Sequence, residues 1–287
     1  MHGFSVCVDR PTSANSRTNM IHRWIPLGVI LLWALLATLG PSLPLAPNSI
    51  KLSNILISGT TQEWLGFDDL GRPVFARLIV GAQTSFFVAF SVVAISLVVG
   101  SCLGTSRGYF GGWTDLAFTR IIDIFLAFPG ILLAIALAGI MGPGSDNVVI
   151  ALSMVGWVGY ARLARAQVLS VKERDHVHAA IAIGVPPFRI IMRHLLPLIS
   201  APLIVEASFG IAGVVIGEAG LSFLGLGIQP PSASWGSMIR DGTRYMLVAP
   251  HMVIAPGLAL MVVVLSINLC GDWLRDWLDV KNHIRKE

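Results

Sequence analysis

Long uncharged apolar runs, separated by short polar stretches, make up most of the 287-residue chain. A helix needs about 20 mostly apolar residues to cross roughly 30 Å of hydrocarbon. Six stretches reach or approach that length: residues 24–45, 82–104, 121–141, 147–168, 199–219 and 250–271. The second is the cleanest, with no charged residue from Leu78 to Ser106. The fourth is the weakest, because Arg162 interrupts it, although an arginine near a helix end can snorkel to the interface. The pattern predicts an all-α polytopic membrane protein with six transmembrane helices. Residues 1–23 are expected to be a tail, polar and without structure before Met20, which is an alternative start. The run 24–45 has the basic leader and small trailing residues of a cleaved signal peptide. Its length and the five spans after it favour an anchor.

Composition supports the membrane reading. The chain is 54% apolar and only 13% charged, with a mean hydropathy of +0.75, whereas soluble domains carry about 25% charged residues. The net charge of +4 is spread over short loops, which argues against a nucleic-acid-binding stripe. Of the three cysteines, Cys102 and Cys270 lie inside apolar runs and Cys7 stands apart, so neither a disulfide framework nor a metal site is expected.

Charge sets the orientation. Six spans put both ends on one side; with that side inside, the inner segments hold fifteen Lys and Arg residues and the outer ones five. This fits the positive-inside rule and places both termini in the cytoplasm. The expected layout is a cytoplasmic tail over 1–23, a first span over 24–45 and an outer loop over 46–81. A membrane domain over 82–271, with a cytoplasmic insert over 169–198, and a cytoplasmic tail over 272–287 complete it. Trp273 and Trp277 suit an interfacial aromatic belt.

The stretch 162–197 holds six of the twenty basic residues. It reads as two helices: residues 168–183 form an amphipathic one, which Gly184 is placed to end. Pro186 and Pro187 forbid its continuation, and Pro187 can open a second helix running to about Leu196. Ala179, Ala180 and Gly184 form a small-residue face beside this turn, suited to a partner's groove. An ordinary cytoplasmic loop is the competing reading. Gly100 with Gly104, and Gly213 with Gly217, are small-xxx-small pairs that let helices approach closely in lipid.

Residues 178–197 read HAAIAIGVPPFRIIMRHLLP, which resembles the EAA motif of ABC importer permeases: Glu-Ala-Ala, three residues, Gly, nine residues, Ile, one residue, Leu-Pro. Ala179, Ala180, Gly184, Leu196 and Pro197 match; His178 replaces the Glu and His194 the Ile. Further strings resemble the dipeptide, oligopeptide and nickel branch of this family, in its second subunit type. They are GFDDLGRPVFARLIVGA (66–82), GYFGGWTD (108–115), RIIDIFLAFP (120–129), GYARLARAQVLS (159–170), LSFLGLGIQPPSASWGSMI (221–239) and NLCGDWLRDWLD (268–279). The resemblance covers most of residues 64–279. It implies the type I ABC importer transmembrane fold, with the insert as a two-helix coupling loop docked on a cytoplasmic ATPase. It also implies a second permease, two ATPase subunits carrying ATP and Mg, an extracytoplasmic binding protein, and the bacterial inner membrane. The coupling contacts would be Asp175, His178, Ala179, Ala180, Gly184, Arg189, Leu196 and Pro197, with Asp175 standing in for the missing acid. Peptides or a related small solute would be the cargo, with nickel or a metal chelate as the alternative. Independently of the family, no G-x-x-x-x-G-K-[ST] loop occurs, so any ATP must be hydrolysed by another chain.

Carboxylates in apolar runs usually face protein or water. Asp123 lies one turn from Arg120 and is expected to pair with it, pathway lining being the second possibility; Asp272 and Arg275 read the same way as a pair. Glu206 has no basic neighbour in sequence and either lines the pathway or accepts a hydrogen bond from another helix. Glu218, near the outer end of its span, is expected to be solvated. Neither G-x-S-x-G nor H-E-x-x-H occurs, so an intramembrane hydrolase lacks its chemistry and no catalytic, cofactor or metal residue is expected. A channel or secondary transporter would show polar filters or paired broken helices in repeated halves, and neither is visible.

Overall fold

The computed structural model describes residues 14–284 apart from Gln62, with side chains for residues 24–278 apart from Pro41 and Gln62. The tail over 1–13 and the last three residues, with Cys7, lie outside the described residues. Ten helices follow in order: α1 Ala14–Leu39, α2 Val74–Phe110, α3 Gly112–Leu126, α4 Gly130–Met141, α5 Ser145–Val171, α6 Asp175–Ala182, α7 Pro187–Ile190, α8 Leu196–Phe223, α9 Trp235–Thr243 and α10 His251–Ile284. Among the described residues no strand forms beyond a single bridge, Phe67 to Pro73.

Two expected spans come out differently. The stretch 121–141 is not one helix: α3 and α4 meet at 84°. Pro129 explains the break, since its ring removes a helical N–H and pushes Phe128 out of the α region. The first apolar run is also shorter than 24–45, ending as α-helix at Leu39 before a 3-10 turn over Gly40–Ser42. Helix α1 starts at Ala14, so part of the expected tail is helical. Four helices are long and apolar enough to cross a membrane: α2, α5, the continuous run Pro187–Phe223, and α10 over His251–Leu278. Counting the bent pair makes five. Helix α2 also begins earlier than expected, at Val74.

Glycines set how closely the central pair packs. Gly100, Gly104 and Gly108 recur every fourth residue on α2 and face α5. A Cβ at Gly100 would sit 2.5 Å from the Trp157 carbonyl oxygen, and one at Gly104 would collide with the Ala161 carbonyl. In lipid, where burial against tails gains little, such backbone approach is what holds helices together. Gly213 and Gly217 behave otherwise: nothing lies within 4 Å of a Cβ at Gly213, while Gly217 touches Leu152.

The two ends of the bundle are built differently. At the end where α2 begins, Trp33 donates its indole N–H to the Ala82 carbonyl (3.0 Å) and Trp235 to the Leu78 carbonyl (3.1 Å), pinning α1 and α9 to α2. Helix α9 starts on a capping box of Ser234 and Ser237, which satisfies otherwise orphaned N–H groups. The loop ahead of α2 buries charge: Arg72 Nε lies 2.7 Å from Asp68 Oδ2 and Arg77 Nε 3.5 Å from the same oxygen. At the opposite end, Val168, Val171, Val177, Ala180, Ile190 and Leu195 form an apolar cluster under the insert.

Candidate functional site

The insert folds into a compact elbow. Helix α5 stops at Val171, and Arg174 is extended, so the helix expected over 168–183 is interrupted by a turn. Asp175 then opens α6, a favourable place for an acid because free N–H groups point its way. Gly184 ends α6 at φ +77. The Val185 N–H bonds the Ala180 carbonyl (3.0 Å) and the Gly184 N–H bonds the Ile181 carbonyl (3.0 Å). That pair of bonds is a Schellman cap, whose αL residue is best supplied by glycine.

Pro187 begins α7 as expected, with Pro186 extended before it. The second helix does not end near Leu196, however. A π-helical turn over Ile191–Leu195 carries it into α8, and the Leu196 N–H bonds back to the Ile191 carbonyl. Pro197 has no N–H to offer the carbonyl four residues back, and the wider turn absorbs that mismatch. The elbow and the span are thus one continuous rod.

One face of the elbow is sealed and the other bare. Val177, Ala180, Ile190 and Leu195 are buried, while Ile183 is 80% and Phe188 72% exposed, with Ile181 and Met192 beside them. Ala179, Gly184 and Pro197 are exposed and Leu196 is half-buried. Asp175, His178 and Arg189 are exposed at the rim, where His178 Nε2 lies 3.5 Å from Glu173 Oε2. The structure therefore gathers all the sequence-expected coupling residues on one elbow, with Ala180 turned inward rather than onto the bare face.

Two cavities meet at Glu206 on α8. A groove of about 760 Å³ runs between α5, α8 and α10; Leu163, Gln167, Arg174, Pro202, Glu206 and Arg275 are among its walls. A smaller chamber of about 220 Å³ adjoins it between α2, α5 and α8, lined by Ser96, Gly156, Gly159, Tyr160, Glu206, Gly210 and Gly213 with valines. Gly213 thus opens space instead of packing a helix. No hydrogen bond or ion pair to the Glu206 carboxylate forms among the described residues, whereas Ser96 Oγ and Tyr160 Oη are buried without a partner. Asp123 is not among the residues lining either cavity; it is exposed, 3.7 Å from Arg120 Nη1. The expected Asp272–Arg275 pair does not form within 4 Å; Arg275 lines the groove instead.

Glu218 is fully buried, not solvated. Ser85 Oγ of α2 donates to its Oε2 (3.0 Å) and Ser222 Oγ to its Oε1 (2.7 Å), while Ser222 Oγ also accepts the Ile228 N–H (3.2 Å). One carboxyl thereby joins α2, α8 and the loop after α8. A second unforeseen link is the fork of Arg165 on Asp115, Nε to Oδ1 and Nη2 to Oδ2, both 2.6 Å, tying α3 to α5 near the elbow. Both residues sit in the quoted strings GYFGGWTD and GYARLARAQVLS, but nothing in either names the other as its partner. In the loop ahead of α2, burial first and then the neighbouring Asp68 push the Asp69 carboxyl above its usual range, with Arg72 pulling it back.

The family model described as "Binding-protein-dependent transport system inner membrane component" matches residues 96–283, most of the chain. The chain belongs to this permease family. It is 44% identical over 229 residues to the dipeptide transport system permease protein DppC of Alkalihalophilus pseudofirmus, covering 80% of this chain and 75% of that one. It is 41% identical over 236 residues to the glutathione transport system permease protein GsiD of Pectobacterium atrosepticum, covering 82% and 78%. A solved inward-facing MetNI methionine ABC transporter chain superposes with a TM-score of 0.54 at 19% identity, covering 71% of this permease and 95% of that chain. That likeness shows the fold, which together with the family match is that of a type I ABC importer permease. The elbow, the larger groove and Glu218 lie inside the matched segment, as does the smaller chamber apart from Val92 and Val93, whereas the buried charges at Asp68, Arg72 and Arg77 precede it.

Proposed function

We propose that this ABC importer permease forms, with a second and different permease chain, the pathway by which short peptides enter the cell across the inner membrane. Relatives named for dipeptide and glutathione transport support a peptide cargo over nickel or a metal chelate. The elbow faces the cytoplasm together with both termini, in keeping with the excess of basic residues on that side. There it docks on one of two ATPase subunits, which carry ATP and Mg, while a binding protein delivers cargo outside.

The observation that carries this reading is the two-faced elbow. Its inner side is fused to the bundle through Val177, Ala180, Ile190 and Leu195, and its outer side offers Ala179, Ile181, Ile183 and Phe188 around a glycine-capped turn. A rigid part with an uncovered apolar face passes on the motion of whatever grips it. ATP binding would draw two such elbows together and tilt the spans, shifting the balance between inward- and outward-open states.

Gly184→Leu tests the assignment. It has open space around it but forces a side chain into the left-handed region, at a cost of roughly 1–2 kcal/mol. The protein should insert in normal amounts and the complex should still hydrolyse ATP, while peptide uptake falls at least tenfold. Uptake at the unmodified rate would remove the elbow from the coupling path.

A further inference from the structure

Glu206 is a carboxylate exposed on the side of a membrane-spanning helix, and no cation or hydrogen-bond donor among the described residues answers it. Such groups persist in spans where they meet water or a ligand. It stands where groove and chamber join, and the groove's volume of about 760 Å³ lies in the range of small-molecule clefts, roughly 300–1,000 Å³. On the chamber side Ser96 and Tyr160, 1% and 5% exposed, leave their hydroxyls unpaired beside it. Buried hydroxyls without partners are uncommon and mark places where another molecule completes the bonding. The glycines at 159 and 213 face open space, so a ligand's backbone can come close there, while Gly156 and Gly210 lie under the Ser96 and Tyr160 hydroxyls.

The charge along the groove is directional. Glu206, an exposed carboxylate, lies on its wall midway along α8, and Arg174 and Arg275 line it toward the elbow, neither with an ion-pair partner among the described residues. Leu198 and Glu206, both on its wall, are eight residues apart on α8, about 12 Å of helix axis. Two residues of extended peptide span about 7 Å. The wall is thus long enough for a short zwitterion lying along it, with its ammonium at the carboxylate and its own carboxylate on the side of the guanidinium groups.

We propose that Glu206, with the Tyr160 and Ser96 hydroxyls, is a transient binding site for the protonated amino terminus of the cargo. The inference rests on the peptide reading above and adds to it a chemical requirement: the cargo must bear a free ammonium group. The site has one charge and an open side, so it holds its ligand briefly, as passage demands.

The test uses the complete transporter, with its ATPase and binding protein, in proteoliposomes fed L-alanyl-L-alanine. Glu206→Gln should lower uptake at least tenfold, with ATP hydrolysis within twofold of the unmodified complex, and Glu206→Asp should stay within about threefold. A second measurement separates binding from mere support of the fold. Saturation-transfer NMR on the complex in nanodiscs should show contact with Ala-Ala that Glu206→Gln abolishes, and a weaker contact with N-acetyl-Ala-Ala that it leaves alone. Glu206→Gln transport equal to the unmodified protein overturns the site, as does loss of uptake with Ala-Ala contact intact. If the unmodified complex hydrolyses ATP yet carries no peptide, the peptide reading fails and this site with it; peptide uptake indifferent to Glu206 defeats the site alone.

Discussion

The elbow and the opposite end of the bundle solve contrary problems. At the elbow, the inner face is plain hydrocarbon, the outer face carries apolar side chains rimmed by polar ones, and a single glycine sets the turn. At the other end, charge and hydroxyls are turned inward: Asp68 with Arg72 and Arg77, Glu218 with Ser85 and Ser222, and two indole N–H groups on α2 carbonyls. Inward polar bonds are geometrically demanding and costly to leave half-made, so they hold one arrangement. An apolar interface with a bare outer face tolerates being pulled. The molecule is fastened where loops cover it and presents a bare apolar face at the elbow.

Three substitutions would break or sharpen that contrast. The largest effect is expected from Glu218→Ala, which leaves two buried hydroxyls without their acceptor and opens a cavity. Each orphaned group costs about 1–3 kcal/mol, so a loss of about 3 kcal/mol or more should appear as a lower thermal midpoint in detergent and a poor yield of assembled complex. If Glu218→Ala is no less stable than Gly184→Leu, the idea of a fastened end fails. Next comes Asp115→Ala, which cuts a bidentate, partly buried ion pair near the elbow. About 1–2 kcal/mol is expected, read as a modest fall in the same midpoint with insertion retained.

The smallest effect concerns Asp69. Its carboxyl is raised in the folded protein, so the unfolded chain gives up that proton more readily. Folding is then penalised as pH climbs past the ordinary carboxylate range, and the penalty is absent where both states are protonated. Asp69→Asn should stabilise slightly, within about 0.5 kcal/mol, and its advantage should grow from pH 4 to pH 7. A growing disadvantage over that interval would mean that the Arg72 contact outweighs burial.

Legibility in the sequence followed the range of the interactions. Gly184, Pro186 and Pro187 act within a few residues of themselves, so the turn between the elbow helices was readable, as were the close glycines of α2. The bend at Pro129 was in principle local too, but the apolar run around it hid the break, because hydropathy counts residues and ignores a missing N–H. The π-helical turn before Pro197 was hidden in the same way, which is why the second elbow helix was expected to stop. What pairs across fifty or more residues could not be read at all. Asp115 finds Arg165, and Glu218 finds Ser85, only once the helices are packed. The same holds for the chamber at Glu206, whose walls come from three separate helices and whose emptiness is a property of the packing.

The unbroken helical run from Pro187 to Phe223 has a mechanical consequence. Its 37 residues make a lever about 55 Å long at 1.5 Å per residue. Pivoting it by some ten degrees about one tip would sweep the other by about 10 Å, with Glu206 riding near its middle and Glu218 close to the far tip. A tilt at one end is thereby carried past Glu206 to the far end of the span in a single stroke.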